Sequence, residues 1–328
     1  MKAVWYDKLG PAQEVLQFGE LPTPEPAPGE VRVRLAASAV NPADANRRAG
    51  RMHSMEFPRI VPNSDGAGTV DAVGEGADPT WLGQRVWVYF GQRGRPWGTA
   101  AQYICLPQTL VSPLPAGLSF AQGACLGIPC LTAYCSLMDA TDLNGRNVLV
   151  TGGAGAVGHY AIQLAKWRGA HVIATVSSPL KAEHAKLGGA DAVIDYTRED
   201  LESAVHKATK GAGIDHIVDV DAGSNRHAVL AMAAPGAIWM SYAIGPDPDQ
   251  PFPLAGLIRK NITLRGLYLS GLSAETRQRA QQGVRQWLAE VPGGMHAVDS
   301  IFPLHETAKA HLMVEARQKR GTVVVSCD

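Results

Sequence analysis

Apolar and polar positions alternate through the first third of the chain. In Val31–Leu35 apolar residues alternate with arginine, and Gly68–Val73 follows a similar two-residue period. This period predicts strands with one buried and one solvated face. The proline-rich segment Pro22–Gly29 predicts a connector rather than a helix. We therefore expect residues 1–122 to be rich in β-strands.

From about residue 123 the pattern changes to short apolar runs with helical segments between them. Continuous apolar runs are typical of strands buried on both faces of a parallel sheet. Helices are predicted at His159–Trp167 and around Ala182–Leu187. The predicted strands are Asn147–Thr151, His171–Val176, Ala192–Asp195, Asp215–Val220, Ala237–Tyr242 and Ile262–Leu269. This alternation predicts an α/β fold with a doubly wound, six-stranded parallel sheet.

Size and charge narrow the classes of protein to consider. A chain of 328 residues is longer than one hydrophobic core usually serves, so two domains are expected. The 30 Lys and Arg residues balance the 30 Asp and Glu residues, which favours neither a nucleic acid nor a membrane surface as partner. No apolar run approaches the roughly 20 residues that cross a bilayer, and Met1–Asp7 reaches charged residues too early for a secretory segment. We expect a cytoplasmic enzyme or binding protein.

Cysteine and histidine spacing predicts no metal site. No C-x-x-C pair occurs among the five cysteines, and Cys125, Cys130 and Cys135 stand five residues apart. The ten histidines show no H-E-x-x-H or other metal-binding spacing. Buried thiols in a reducing compartment are the expected state of the cysteines.

The clearest chemical signal is a glycine-rich segment after the strand Asn147–Thr151. Gly153, Gly155 and Gly158 fit G-x-G-x-x-G and lead directly into the predicted helix. Glycines allow the tight turn, the approach of backbone to a pyrophosphate and the packing of helix on strand. The helix N-terminus offers N–H groups and a positive dipole end to phosphates. This context predicts a dinucleotide-binding site.

The end of the second strand indicates which dinucleotide is bound. NAD sites usually place Asp or Glu there, about 20 residues beyond the glycines. Here the segment Ser177–Lys181 carries two serines and a lysine and no carboxylate. Hydroxyl donors and a cation favour the 2′-phosphate of NADPH over NADH.

Several motifs together resemble one family. They are Ala39–Asp44 (AVNPAD), Asn63–Gly68 (NSDGAG), Gly83–Val86 (GQRV), Gly127–Tyr134 (GIPCLTAY) and the glycine-rich segment. In this combination the chain resembles the zinc-free, zeta-crystallin-like quinone oxidoreductases of the medium-chain dehydrogenase/reductase family. The resemblance implies a GroES-like β-barrel catalytic domain formed by residues 1–122 and 270–328, with a Rossmann domain at 123–269 between them.

The resemblance also implies a set of cofactor-binding residues. Asn41 and Thr132 are expected near the nicotinamide, and Gly155, Ala156 and Val157 along the pyrophosphate. Ser177, Lys181, Tyr196 and Arg317 are expected around the 2′-phosphate. The full expected set is Asn41, Thr132, Gly153, Ala154, Gly155, Ala156, Val157, Gly158, Ser177, Lys181, Tyr196, Ser241, Tyr242, Ala243, Leu267, Leu269 and Arg317. A homodimer paired through the last Rossmann strand, Asn261–Tyr268, is also implied.

Two features of the sequence bear on the reaction. Zinc-dependent relatives carry a Cys and a His-Glu pair in segments that here read Val40–Pro42 and Asn63–Gly66 and contain neither Cys nor His. Without a Lewis acid, acceptors that delocalise the arriving charge, such as quinones and enones, become the expected substrates. Asn41 is expected to orient the reactants. Asn46 stands where relatives often have Tyr and is expected to contact the substrate.

The sequence therefore predicts a zinc-independent, NADPH-dependent reductase that passes hydride to a quinone or an enone-type carbonyl compound. The second enzymatic hypothesis is an enoyl-thioester or other activated-alkene reductase. The hypothesis from a different class of function is a non-catalytic NADPH-binding protein.

Overall fold

The computed structural model describes residues 1–52, 54–138, 142–245 and 251–328. In chain order the strands are β1 (Lys2–Trp5), β2 (Gln17–Glu20), β3 (Glu30–Val40), β4 (Asp65–Val73), β5 (Arg85–Val88), β6 (Tyr103–Pro107), β7 (Val111–Pro113), β8 (Asn147–Val150), β9 (His171–Val176), β10 (Ala192–Asp195), β11 (Ile214–Asp219), β12 (Ala233–Ser241), β13 (Thr263–Gly266), β14 (Val298–Pro303) and β15 (Thr322–Ser326). The helices are α1 (Ala12–Val15), α2 (Pro42–Arg48), α3 (Phe120–Ala124), α4 (Leu131–Met138), α5 (Ala156–Trp167), α6 (Pro179–Leu187), α7 (Leu201–Ala208), α8 (Ala222–Met232), α9 (Leu254–Lys260), α10 (Ala274–Glu290) and α11 (Thr307–Glu315).

The chain folds into two compact units. The first combines Met1–Ile128 with His296–Asp328, and the second is Pro129–Met295. Among the helices of these described segments, none is long and apolar enough to cross a membrane. All five cysteines are described, and none forms a disulfide.

The second unit is built on a parallel sheet of six strands in the order β10-β9-β8-β11-β12-β13. Every neighbouring pair in it is parallel. From β8 the chain adds β9 and β10 on one side of the sheet, and from β11 it adds β12 and β13 on the other. The strand order therefore reverses between β8 and β11. Ligands of such sheets bind at this reversal, beyond the carboxyl ends of the strands. The predicted doubly wound α/β fold is confirmed.

Burial on both faces explains why these strands read as continuous apolar runs. The core of the second unit includes Leu149, Ile173, Ile217 and Trp239, each at most 1% exposed. The edge strand β13 is exposed throughout and is shorter than the predicted Ile262–Leu269. It ends where the backbone N–H of Leu267 turns to donate to Ser241 O.

The first unit carries a sheet ordered β14-β15-β3-β4-β5-β7, in which β6 also pairs with β3. The pairs of β3 with β4, β6 and β15 are antiparallel. Val31, Val33 and Leu35 point into its core and are at most 2% exposed. The alternation that predicted this strand is thus present. The C-terminal strand β15 completes the sheet, since Val323 pairs with Val40.

The limits of the two units differ from the expected boundaries at 122/123 and 269/270. Helix α3 packs on β3 and β4 and belongs to the first unit. Helix α10 belongs to the second unit, where a Cβ at Gly283 would lie 2.0 Å from the Tyr134 ring of α4. The sequence pattern shows that a helix follows β13 but not the unit on which it packs.

Candidate active site

Three glycines at the connection of β8 to α5 each meet a different geometric requirement. Gly152 has a left-handed φ of +64° and makes the turn after the strand. A Cβ at Gly153 would lie 2.8 Å from Ala174 Cβ on β9. A Cβ at Gly158 would lie 2.4 Å from the carbonyl oxygen of Gly152. The predicted motif is present, but the left-handed turn is made by Gly152, one residue before it.

The N-terminus of α5 presents unpaired backbone donors. Gly155 is its N-cap residue, and no side chain caps the helix there. The first backbone bond into the helix runs from His159 N–H to Gly155 O at 2.9 Å. The N–H groups of Ala156, Val157 and Gly158 precede it and have no carbonyl partner within the helix. A small, uncapped turn of this kind fits the pyrophosphate of a dinucleotide.

A buried carboxylate ties this loop to the neighbouring strands. Asp219, at the end of β11, is 0% exposed. Its carboxylate accepts from Thr151 Oγ1 and Asn225 Nδ2, both at 2.7 Å, and from Trp239 Nε1 at 2.9 Å. Thr151 Oγ1 also accepts from the backbone N–H of Val220 at 2.9 Å. Asp219 is a functional residue that no sequence motif singles out, although an Asp that ends a strand beside the glycine loop is a usable signal.

The end of β9 carries the predicted polar residues. Lys181 Nζ donates to Ser177 Oγ at 3.0 Å, and both side chains are half-buried. The backbone N–H of Tyr196 donates to Val176 O at 3.2 Å, so Tyr196 lies beside them. Asp195, at the end of β10, accepts from Thr197 Oγ1 at 2.6 Å, and this bond comes first among the causes that lower its pKa. The structure therefore pairs Lys181 with Ser177 and places the backbone of Tyr196 next to Val176, the residue before Ser177.

The ends of β12 and β13 bring together the next predicted group. Ser241 O accepts from the N–H of Leu267 at 2.7 Å, and Ser241 Oγ donates to Ala243 O at 3.4 Å. Burial, and to a lesser extent the charge of Asp219, raises the pKa of Tyr242. Thr132, 6% exposed, lies on α4, which contacts the short helical turn Leu269–Gly271. These residues all belong to the second unit.

In the first unit Asn41 belongs to a buried polar cluster. Asn41 is the N-cap residue of α2 and 3% exposed, and its backbone N–H donates to Asp44 Oδ2 at 2.9 Å. Its side-chain Nδ2 donates to Asp65 Oδ2 at 2.7 Å. Ser64 Oγ donates to Asp44 Oδ1 at 2.7 Å. The cluster holds the Asn41 side chain in one orientation.

Both carboxyl groups of this cluster are shielded from water. Burial is the main cause that raises the pKa of Asp44, and it raises that of Asp65 further. Asp65 Oδ2 also accepts from the backbone N–H of Ile128 at 2.8 Å. Asp65 Oδ1 has no hydrogen-bond partner among the described residues. The sequence motifs do not show that Asp44 and Asp65 bond to Asn41.

Two further predicted residues also lie in the first unit. Asn46 is half-buried on α2, and its Oδ1 accepts from Arg51 Nη1 at 3.4 Å. Arg317 follows α11, is exposed and has a left-handed φ of 56°. The contacts of Asn46 with substrate and of Arg317 with cofactor remain predictions.

The donor set of the cluster does not fit zinc. Within the described part of the chain, no group of three or more His, Cys, Asp or Glu residues is placed to hold a metal ion. Around Asn41, one oxygen of Asp65 is already bonded to an amide and to a backbone N–H. Zinc sites need three or four nitrogen, sulfur or carboxylate ligands.

Two family profiles match this chain. Residues 27–116 match the family described as Alcohol dehydrogenase GroES-like domain, and residues 156–290 match that described as Zinc-binding dehydrogenase. These matches assign a GroES-like domain to the first unit and the parallel Rossmann sheet to the second.

Similar curated proteins cover nearly the whole chain. A quinone oxidoreductase of Pseudomonas aeruginosa is 30% identical over 95% of this chain and 95% of its own. A 2-haloacrylate reductase of a Burkholderia species is 28% identical over 99% of this chain and 98% of its own.

Solved structures agree on the fold. A structure titled NAD-dependent alcohol dehydrogenase has a TM-score of 0.88 at 30% identity and covers 99% of both chains. Escherichia coli quinone oxidoreductase complexed with NADPH has a TM-score of 0.85 at 25% identity and covers 99% of this chain and 100% of its own. With the match to the Pseudomonas enzyme, these findings confirm the resemblance seen in the motifs. The chain is therefore an oxidoreductase of the medium-chain dehydrogenase/reductase family and belongs to its quinone oxidoreductase branch.

Proposed function

We propose that this protein is an NADPH-dependent reductase that passes hydride to a quinone or to an enone-type conjugated carbonyl compound without zinc. One observation carries the choice of cofactor. At the end of β9 a lysine ammonium group bonds to a serine hydroxyl at 3.0 Å, where NAD sites usually place a carboxylate. A 2′-phosphate would gain a cation and a hydroxyl donor there.

The residues that would hold NADPH follow the carboxyl ends of the strands. The uncapped turn Gly155–Val157 would bind the pyrophosphate. Ser177, Lys181 and Tyr196, with Arg317, would bind the 2′-phosphate. Ser241, Tyr242, Ala243, Leu267 and Leu269 would line the ribose and nicotinamide path. Asn41 and Thr132 would lie near the nicotinamide, with Asn46 as a substrate contact.

Among the described residues none are grouped to hold a metal ion, and this supports acceptors that need no Lewis acid. When bound, NADPH supplies the hydride. Hydrogen-bond donors of the protein can stabilise the delocalised charge of a reduced quinone or enone, whereas a simple carbonyl group needs a stronger electrophile. The protein's own task is to hold the acceptor and exclude water. Asn41, held by Asp65 at 2.7 Å, orients the reactants, and solvent supplies the proton.

An activated-alkene reductase is the second candidate. The 2-haloacrylate reductase that is similar to 99% of this chain acts, by its name, on an alkene conjugated to a carboxyl group. Hydride addition to such an alkene also develops charge on a conjugated oxygen. The same donors could therefore serve both reactions.

A panel of acceptors tests the proposal. The purified protein is mixed with NADPH and with naphthoquinone, methyl vinyl ketone or crotonyl-CoA, and the loss of cofactor absorbance is followed. Turnover of the quinone or the enone, unchanged by a chelator, supports the proposal. Turnover of the thioester alone would favour the second candidate. Tight NADPH binding without any turnover would indicate a non-catalytic role.

A further inference from the structure

Helix α11 connects the C-terminal part of the chain to the polar cluster around Asn41. Two of its side chains, His311 and Glu315, contact residues that lie 248 and 267 positions earlier in the sequence. The two residues are four positions apart and therefore lie on one face of the helix. His311 is 0% exposed and Glu315 is half-buried. The residues proposed to hold NADPH include none of α11, so these contacts need another explanation.

His311 begins a chain of buried hydrogen bonds that ends at Asp65. His311 Nε2 lies 3.0 Å from Asn63 Oδ1, and Asn63 Nδ2 donates to Ser38 Oγ at 3.0 Å. Ser38 Oγ and Thr99 Oγ1 are 2.8 Å apart, and Thr99 Oγ1 donates to the backbone oxygen of Asp65 at 2.7 Å. All five residues are 0% exposed. Burial removes the competition of water for these bonds and so strengthens them.

The bonds of this chain run in one direction. Thr99 uses its single hydroxyl proton on Asp65 O, so Ser38 must donate to Thr99. Asn63 presents its NH2 group to Ser38, which leaves its Oδ1 as the acceptor for His311. Burial lowers the pKa of His311 to about 3, so the ring is neutral near pH 7 and carries its one proton on Nε2.

The chain also fixes an unusual backbone conformation at Asn63. This residue has a left-handed φ of 72°, which is uncommon outside glycine. Its side-chain amide is bonded at both ends, to His311 and to Ser38. The backbone oxygens of Asn63 and Asp65 both accept from Thr99, from its N–H at 2.9 Å and from its Oγ1 at 2.7 Å. Asp65 is thereby fixed at the point from which its carboxyl group holds the active-site asparagine.

The second contact of α11 reaches the other side of that bond. Arg48 Nη2 donates to Glu315 Oε1 at 2.9 Å, and Arg48 is 1% exposed. Arg48 is the last residue of α2, the helix for which Asn41 is the N-cap residue. One face of α11 is therefore bonded both to the helix that carries Asn41 and to the segment that carries Asp65.

We propose that His311 is a positioning residue for the reaction, because its hydrogen-bond chain fixes Asp65 and thereby the orientation of Asn41. This inference rests on the proposed reductase function, since it concerns how Asn41 orients the reactants. His311 acts through Asp65 and not by contact with the reactants. A displacement of about 1 Å can lower the rate of an enzyme about 100-fold. Loss of the chain should therefore lower kcat and leave the affinity for NADPH nearly unchanged.

Substitutions of His311 separate its donor from the space that the ring fills. His311→Leu removes the donor, and kcat with NADPH and naphthoquinone should fall about tenfold or more, while the KM for NADPH stays within about twofold. His311→Gln keeps an N–H group near the position of Nε2 and should restore kcat to within about threefold of wild type. Thr99→Val breaks the last bond of the chain and should lower kcat as His311→Leu does, so it is the test if that variant folds poorly. Methyl vinyl ketone replaces naphthoquinone if only the enone turns over.

An Asn41→Ala background shows whether His311 acts through Asn41. In that background His311→Leu should lower kcat by less than about twofold, because a positioning effect needs the residue that is positioned. An equal fall of kcat in both backgrounds would show a purely structural role and overturn the proposal. Thr307→Val is the matched control, since Thr307 is a buried residue of α11 whose hydroxyl donates to Leu304 O at 2.7 Å. It should lower the Tm, as His311→Leu does, and leave kcat unchanged.

An NMR measurement without acceptor separates this inference from the function on which it rests. In ¹⁵N-labelled protein the side-chain amide signal of Asn41 reports its bond to Asp65. The signal should shift in His311→Leu and Thr99→Val, and keep its position in His311→Gln and Thr307→Val. If these shifts occur but no acceptor turns over, the reductase proposal fails while the hold of His311 on Asn41 stands. An unshifted Asn41 signal in His311→Leu rejects the positioning role, whatever the kinetics show.

Discussion

At the scale of single residues, two adjacent arginines show how tertiary partners decide a role. Arg47 and Arg48 both stand in the last turn of α2 and read as ordinary helix cations. Arg48 is 1% exposed and bonds to a glutamate that is 267 residues away in sequence. Arg47 meets a neutral amide instead. The same residue type therefore pairs with a distant carboxylate at one position and with a neutral amide at the next.

Lys181 is where the choice of cofactor can be tested. Lys181→Ala should weaken NADPH binding by about tenfold or more, because a charged partner of the phosphate is lost. NADH lacks that phosphate, so its affinity should fall by less than about twofold. Fluorescence titration with each cofactor measures both constants.

Lys186→Ala is the control for this substitution, since Lys186 is exposed on the same helix. It should leave both affinities unchanged. An equal loss of NADPH and NADH in Lys181→Ala would refute the charge argument.

At the scale of elements, the connection of β8 to α5 depends on its own glycines and on an aspartate far away in the sequence. The spacing of the glycines predicts a phosphate-binding turn. The turn is held in place by Thr151, which bonds to an aspartate 68 residues later in the chain. The glycines permit the path of the backbone, and Asp219 connects it to β11 and β12.

Gly158→Ala should damage this element. A Cβ there would lie 2.4 Å from Gly152 O, so the loop or the helix must shift. We expect a loss of about 1–3 kcal/mol in the free energy of unfolding, as in other overpacked sites, and NADPH affinity reduced about tenfold or more. Thermal unfolding and cofactor titration measure the two effects.

Gly117→Ala provides the comparison, because nothing lies within 4 Å of a Cβ at that position. It should change neither stability nor affinity appreciably. Normal NADPH binding in Gly158→Ala would show that the loop does not bind the pyrophosphate of the cofactor as proposed.

At the scale of the whole molecule, the exposed edge of the second unit's sheet predicts that two copies of the protein associate. Strand β13 lies at the end of the sheet order; its Leu264 is 37% exposed, and Tyr268, two residues beyond its end, is 63% exposed. On the nearby helix α9, Leu254 is 63% and Ile258 66% exposed. Exposed apolar edge strands pair with other chains, and closed twofold pairing is the commonest outcome.

We therefore expect a homodimer formed through Asn261–Tyr268. Leu264→Lys should shift the protein toward monomer in sedimentation velocity, because a charge on the edge opposes pairing. Ile301→Lys is the matched control, since Ile301 is 57% exposed on β14, at the edge of the first unit's sheet. A wild-type monomer, or a dimer broken by Ile301→Lys instead, would contradict this arrangement.

The local pattern of the chain was enough to predict the parallel sheet, the bounds of β9 and β10, and the glycine-rich turn between β8 and α5. These features depend on backbone periodicity and on glycine geometry, which act over a few residues and are therefore readable in sequence. The tertiary structure alone decided that α10 packs in the second unit and that Asp65 holds Asn41. Such contacts join residues far apart in the chain, and no local preference encodes which distant side chain closes them.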